Sequence, residues 1–480
     1  MTANEMPSSS GVRIAGDHYQ WLHAWRACME ALHQDLTKNT HNPIVAVGVE
    51  APGVGNVDDV VRYRAQPPNA YTQVKYAVDN KIAVGLSYLD DEGILGKMVT
   101  AHKNLTADGT AVELRLATNR TGDPTDLLLQ QRDGRDKRLL PRAAEGGSKS
   151  AMGKARAAWA TAAGTNEAAL LSFLDDFYLD IAYDLPSLRS DVGLLMTANG
   201  LRSDEKSVDL SSDWVAKQVI AGHRNLTLDD IKNAVTVLGL NAGSPWTTVS
   251  IATIKHDDVA DQAAVSIDWV DRIAGEKHWN RVAPTPPHTW AELASDIATV
   301  PMQLGGSRRI LVGGHMRQAT GFMVGAVLRS VLGYEVGVRQ SDQIWTSEET
   351  TTPFPLDVTE ESVDAGPDIA VIVNISYDAA SQATEWIRRT ELPVATIVTA
   401  TPSTGTGPKV VPTPAAANSL AVEIRNVARR YASSRALHVF LVGPLGLAVL
   451  MGHHWNRVTT THVYEHLGGQ DYVHAFTADA

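Results

Sequence analysis

Residues 437–452 read LHVFLVGPLGLAVLMG, the most apolar stretch of the chain. It is shorter than the roughly 20 residues that cross a bilayer as a helix, and Gly443, Pro444 and Gly446 interrupt it. The spacing predicts two buried strands around a tight turn, with no membrane contact. Upstream, SRRILVGGHMR, YEVGVRQ, PDIAVIVNIS and VATIVTATP are apolar runs that alternate with helical patterns such as QATGFMVGAVLRSVLG and AANSLAVEIRNVARRYA. Strands of this kind are buried on both faces, so the back of the chain is expected to hold a mainly parallel sheet covered by helices. The stretches before and after residue 360 follow one pattern and look like two versions of a single unit.

A chain of 480 residues exceeds most single cores, so two or three domains are expected. The proline-rich VAPTPPHTW (282–290) marks a boundary. The division read from the sequence is a small α/β core over 1–145, a mainly helical connecting region over 146–284, and the doubly wound part over 285–480. Hydrophobic content of 44% is that of a globular protein, and a net charge of −12 excludes wholesale coating of nucleic acid, leaving only local contact. The single cysteine, Cys28, permits no internal disulfide and falls on an apolar helix face. The leader MTANEMPSSS has neither a basic region nor an apolar stretch, which points to the cytoplasm.

The front opens with GDHYQWLHAWRACMEALHQDL, whose apolar residues recur at helical spacing. Three strand patterns follow: NPIVAVGVEA, NVDDVVRY and YTQVKYAV. In the middle region NLTLDD reads as a helix start with Thr227 as its cap. The run QQRDGRDKRLLPRAAEGGSKS carries Arg132, Arg135, Lys137, Arg138 and Arg142, and reads as an exposed loop or as a local contact to phosphate.

Chemistry concentrates in the third strand pattern. Residues two apart on a strand share a face, so Gln73 and Lys75 project together, and the neighbouring NVDDVV can deliver Asp58 or Asp59 beside them. An acid, an amide oxygen and an ammonium are the parts that phosphodiester hydrolysis uses. A divalent metal on oxygen ligands polarises the phosphate, and a lysine orients water or neutralises the transition state. Which of the two aspartates takes part depends on strand register.

The order of GDHYQW, a strand ending at Glu50, VDDVV and QVK resembles the PD-(D/E)XK nuclease superfamily in its Mrr-like variant, where Gln replaces the acidic member of the motif. The resemblance implies a restriction-endonuclease-like core acting on double-stranded DNA with Mg²⁺ or Mn²⁺. Asp59 would be the metal-binding acid, with Asp58 as its competitor. Gln73 would be the second ligand, Lys75 the catalytic lysine, and Glu50 would complete the metal shell, with Gln20 reaching in from the first helix. The back, from RILVGGHMR through VIVNIS to LHVFLVGPLGLAVLMGHHWNRVTTTHVYEH, resembles the SAVED domain, two fused CARF-like Rossmann-type units found in effectors of CBASS anti-phage defence. That resemblance implies a cyclic di- or trinucleotide as activating ligand and self-association into a homo-oligomer on activation. Ligands of open α/β sheets bind at strand ends, which nominates Gly313, Gly314, His315 and Arg317, then Asn374, Ser376 and Tyr377, and then Gly443, Pro444, Leu445 and Gly446. Trp345 is a candidate stacking platform. The alternative is a non-enzymatic sensor with a scaffolding front domain.

Three other signals carry less. HVYEH (462–466) fits a zinc-peptidase pattern, with His462 and His466 one helical turn apart, Glu465 as a possible base and Asp471 or Asp479 as a possible third ligand. It lies, however, in the segment that resembles the end of SAVED, and HHW (453–455) reads as structural. Neither GxxxxGK[ST] nor GxGxxG occurs at a strand-to-helix turn, which speaks against a P-loop and a nicotinamide site.

Overall fold

The protein is described by a computed structural model that covers residues 8–479 apart from 39, 135–136, 140–141, 258, 274–281, 341–342, 364 and 469–470. The chain divides into two compact units, Met1–Pro245 and Trp246–Ala480.

In the first unit, the helix Ser9–Thr37 is capped by Ser8, whose hydroxyl accepts the Gly11 N–H. It buries Leu22, Trp25, Cys28, Met29 and Leu32, the face its spacing predicts. Strands β1 (Ile44–Val49), β2 (Val60–Arg64) and β3 (Asn69–Lys75) form an antiparallel meander. The helix Ile94–Leu105 then leads to β4 (Val112–Thr118), parallel to β3, and β5 (Phe177–Asp180) lies parallel to β4. With β6 (Asn225–Thr227) on β1, the sheet order is β5-β4-β3-β2-β1-β6. Alternation sends Val49, Val60 and Val74 into a core shared with the first helix, while Val61, Tyr71 and Leu116 pack with Leu95, Met98 and Phe173. The buried Glu30 carboxylate, 2.6 Å from Arg62 Nε and 3.2 Å from Arg26 Nε, ties the first helix to β2.

The second unit holds two sheets. The first, β11-β10-β9-β7-β8, uses β7 (Thr247–Ala252), β8 (Val265–Asp268), β9 (Arg309–Gly313), β10 (Glu335–Gln340) and β11 (Gln343–Thr346). The second has the order β12-β14-β13-β15-β16-β17, from β12 (Leu356–Ser362), β13 (Asp368–Asn374), β14 (Val394–Pro402), β15 (Leu437–Val442), β16 (Thr461–Gly468) and β17 (Asp471–Ala478). Both have parallel centres, as the apolar runs predict; the first has one antiparallel edge, β11, with β8 parallel at the other side, and the second has two, β12 and β17.

Three expectations change. Residues 146–284, read as a connecting region, do carry several helices, and the Thr227 capping box is present. The same segment also supplies β5 and β6 to the first unit and β7 and β8 to the second, so it is divided between them. The stretch 437–452 is one strand, β15, followed by the helix Leu445–His454, with Pro444 as the extended residue between them. That helix is buried on nearly every side, so its sequence has no polar face to reveal a 3.6-residue period. HVYEH lies on β16, where His462 and His466 are not one helical turn apart.

Glycines let the Leu445 helix pack backbone to backbone on the helix Gln318–Val327. A Cβ on Gly325 would stand 2.0 Å from Val449 O, and one on Gly452 would stand 2.0 Å from Phe322 O. Gly325→Ala is therefore expected to cost about 3 kcal/mol, read as a lower urea midpoint at unchanged m value. Gly16→Ala, in an open helical position where a Cβ meets nothing within 4 Å, is expected to stabilise by about 0.5–1 kcal/mol.

Candidate functional site

The β2–β3 register sets Val60 opposite Thr72, which brings the residue before Val60 alongside the residue after Thr72. Asp59 Oδ2 accepts a hydrogen bond from the Gln73 side-chain amide and another, 2.7 Å long, from the Val74 N–H. Asp59, and not Asp58, is thus the aspartate bonded to Gln73. Both bonds fall on Oδ2, so Oδ1 accepts no hydrogen bond among the described residues. Gln73 donates through Nε2, which leaves its oxygen Oε1 as the uncommitted atom. Lys75 is the last residue of β3, half-buried, and its side chain makes no hydrogen bond or ion pair among the described residues.

Burial pushes the Asp59 carboxyl up to about 6. The Val74 N–H and the Lys75 charge oppose that rise, and the neighbouring Asp58 carboxylate adds to it. A carboxylate held in this way is short of positive charge. With Oδ1 of Asp59 and Oε1 of Gln73 it forms a small set of hard oxygen donors, which suits Mg²⁺, an ion that keeps several waters and takes one or two protein carboxylates plus substrate phosphate. The residues present therefore fit the implied ion.

Glu50 is brought near by its backbone alone. Its N–H donates to Asp59 O at 3.2 Å, but its carboxylate faces Arg224, 3.6 Å from Nη2. Its φ of 47° turns the chain as β1 ends. Among the described residues no group of three or more His, Cys, Asp and Glu is placed to hold a metal ion. Gln20 has a buried side-chain nitrogen with no hydrogen-bond partner. Of the basic run, Arg132 Nε donates to Leu179 O, Lys137 Nζ to Gly134 O, and Arg138 to Tyr178 Oη, so these side chains bind the loop to itself and to β5. Arg135 and the side chain of Arg142 lie outside the described residues.

In the second unit, strand order reverses twice. β7 leads to β8 on one side while β9 leads to β10 on the other, so one switch point lies at the carboxyl ends of β7 and β9. The other lies at the ends of β13 and β15. Gly314 has φ +92°, and a Cβ there would stand 2.2 Å from Ile251 O, so only glycine lets the β9 loop close on β7. The closure is laced by Thr253 N–H and Ile254 N–H, each donating to His315 O at 2.9 Å, and by Arg317 N–H to Thr253 Oγ1. It sets Lys255 directly against His315 in an isolated antiparallel bridge, with both side chains exposed. The sequence reading missed Lys255 because it placed β7 in a connector.

At the other switch point Ser376 N–H donates to Val442 O at 3.1 Å, and Tyr377 beside it is 44% exposed. The two points are joined: the Gln318 amide donates to Gly443 O, and Gly446 N–H to Gln340 Oε1 at 2.8 Å. Pro444 and Leu445 are half-buried at this junction. Three nominated residues are buried in the scaffold. Trp345 is only 4% exposed, and its ring lies so close to Gly446 that a Cβ there would be 2.7 Å from it, so it is core and not a stacking platform. Asn374 is buried and bonds Ala379 N–H, Asp378 and Thr401. Arg317 is buried, and its backbone holds the loop. His453 and His454 bond Leu328 O and Asn418 Oδ1, and burial pushes them down to about 4 and about 3, the rings of a structural core.

No helix among the described residues is long and apolar enough to cross a membrane. Residues 293–477 match the SAVED family, described as "SMODS-associated and fused to various effectors sensor domain", so this segment is a SAVED domain. CD-NTase-associated protein 4 of Enterobacter hormaechei subsp. hoffmannii (strain UCI 50) is 26% identical over 144 residues, which are 28% of this chain; the match spans 29% of that relative's length. Among solved structures, the Acinetobacter baumannii Cap4 SAVED/CARF-domain containing receptor with the cyclic trinucleotide 2'3'3'-cAAA aligns over 97% of this chain and 99% of that one, at 14% identity and a TM-score of 0.42. The Moraxella osloensis Cap4 SAVED/CARF-domain containing receptor aligns over the same shares at 12% identity and a TM-score of 0.38.

The raised Asp59 gives a stability test on metal-free protein. The folded chain holds this proton up to about pH 6, whereas the unfolded chain releases it near 3.9. Stability is therefore expected to fall as pH rises from about 4 to about 6. Asp59→Asn is expected to remove that share of the fall, and to raise the urea midpoint at pH 8 in EDTA.

Proposed function

We propose that this chain is an anti-phage effector of the CBASS type, which binds a cyclic oligonucleotide through its second unit and then cleaves double-stranded DNA through a metal-dependent endonuclease site in its first. The observation that carries the nuclease reading is the Asp59–Gln73 hydrogen bond, with Lys75 two residues further along the same strand face. The SAVED match over 293–477 supports the sensing half.

In this reading Asp59 Oδ1 and Gln73 Oε1 would hold Mg²⁺ or Mn²⁺, while the Gln73 amide and the Val74 N–H keep the Asp59 carboxylate oriented. The ion, when bound, polarises the scissile phosphate and lowers the pKa of the attacking water. Lys75, beside it and without another partner, orients that water and offsets charge on the pentacovalent transition state. In the second unit Lys255 supplies positive charge, and His315 a ring N–H, for phosphodiesters at one switch point. The exposed Tyr377 ring offers a stacking face for a base at the other. Ligand-driven self-association couples sensing to cutting, by assembling several first units along one duplex.

A second reading has one observation in its favour. Glu50 faces Arg224 and not Asp59, which suits a non-enzymatic sensor whose front domain is a scaffold. A plasmid assay separates the two. With Mg²⁺ and a panel of cyclic di- and trinucleotides, one ligand is expected to trigger plasmid degradation, and Lys75→Ala to reduce the rate by about 100-fold or more. Binding of a ligand with no cleavage would favour the scaffold. Tyr377→Ala and Lys255→Ala are each expected to weaken calorimetric binding of that ligand by roughly tenfold, the order of one lost base stack. Only Lys255→Ala should also flatten the salt dependence.

A further inference from the structure

β3 and β4 pair in parallel up to Lys75 opposite Thr118, and there the strand ladder stops. One residue later on β4's side, Asn119 continues it with a side chain. Its Oδ1 accepts the Ala77 N–H at 2.9 Å, and its Nδ2 donates to Ala77 O at 2.7 Å. Asn119 is 8% exposed and Ala77 is 7%, so both bonds are buried. Beyond Ala77, Val78 through Ile82 are all exposed. Lys75 is thus held on its N-terminal side by the ladder and on its C-terminal side by this amide, together with the Tyr76 ring packed on Tyr19, at the edge of a solvent-exposed loop.

A long ammonium side chain on a terminal strand residue goes where its backbone points it, and the backbone of the last paired residue frays unless the next residues are tied. We propose that Asn119 is the positioning residue for Lys75: its amide locks Ala77, and through it the direction in which Lys75 reaches the Asp59–Gln73 pair. The inference rests on the nuclease reading and adds to it a residue that no motif of the first three strands contains. An amide is required because Ala77 presents both a donor and an acceptor. Aspartate can only accept when ionised, and alanine does neither.

The test compares full-length wild type, Asn119→Ala, Asn119→Asp and a control, Asn199→Ala. Asn199 is another buried amide of the first unit, bonded to Met29 O and His33. Cleavage of supercoiled plasmid is followed with Mg²⁺ and the member of a cyclic di- and triadenylate and guanylate panel that activates wild type. Asn119→Ala is expected to lower kcat by roughly 100-fold, the scale of a 1 Å misplacement. KM for plasmid should stay within about twofold, as expected when a group acting in the transition state is misdirected. Asn119→Asp, keeping one bond, should fall between, and Asn199→Ala at a matched Tm should keep its kcat. In metal-free, ligand-free protein, amide exchange over 76–82 should rise in Asn119→Ala and stay unchanged in Asn199→Ala. If Asn119→Ala does not fold, Asn119→Asp carries the comparison. Equal kcat loss in both asparagine sites, or full kcat in Asn119→Asp with unchanged exchange, would overturn the proposal while Lys75→Ala remains inactive. No cleavage by wild type with any panel member would overturn the nuclease reading, and this proposal with it.

Discussion

The register of β2 on β3 is the constraint from which the front site follows. With Val60 opposite Thr72, Asp59 meets Gln73 across the strand boundary. Strand side chains alternate, so a slip of one residue would turn Asp59 away and present Asp58 instead, while sending Val60 and Val61 into the wrong cores. Those cores hold the register: Val60 packs with the first helix and Val61 with the opposite layer. The buried Glu30–Arg62 pair pins β2 to the helix at one further point. Burial that fixes the strand also desolvates Asp59, so the interactions that build the fold are the ones that raise its pKa.

The second unit obeys a different constraint. Its two sheets are brought together by a pair of helices that touch through glycine, and these helices follow β9 and β15 directly. Close approach of the helices therefore forces close approach of the strand ends, where the Gln318 and Gln340 amides cross from one sheet's loops to the other's. A ligand seated there would touch loops of both sheets.

Much of this was legible in the sequence, for stated reasons. Gln73 and Lys75 share a face by period-2 geometry alone, and the first helix and the three meander strands stand where their patterns put them. The choice between Asp58 and Asp59 was not legible, since it depends on register between two strands. The helix Leu445–His454, buried on nearly every side, read as a strand because a helix with no polar face loses its period. β5, β7 and β8 are short strands within largely helical surroundings, and losing β7 meant losing Lys255. Trp345 read as a ligand platform because composition cannot tell a buried indole from an exposed one. Asn119 lies outside every motif, and only its two bonds to Ala77 give it meaning.

The most direct measurement is a Mn²⁺ anomalous difference map from crystals of the full chain bound to a short DNA duplex. The account predicts a peak within coordination distance of Asp59 Oδ1 and Gln73 Oε1, with a DNA phosphate oxygen as a further ligand and the Lys75 ammonium facing that phosphate. A map with DNA bound and no peak at Asp59, or with the metal held elsewhere, would contradict the claim that this strand end is the catalytic centre.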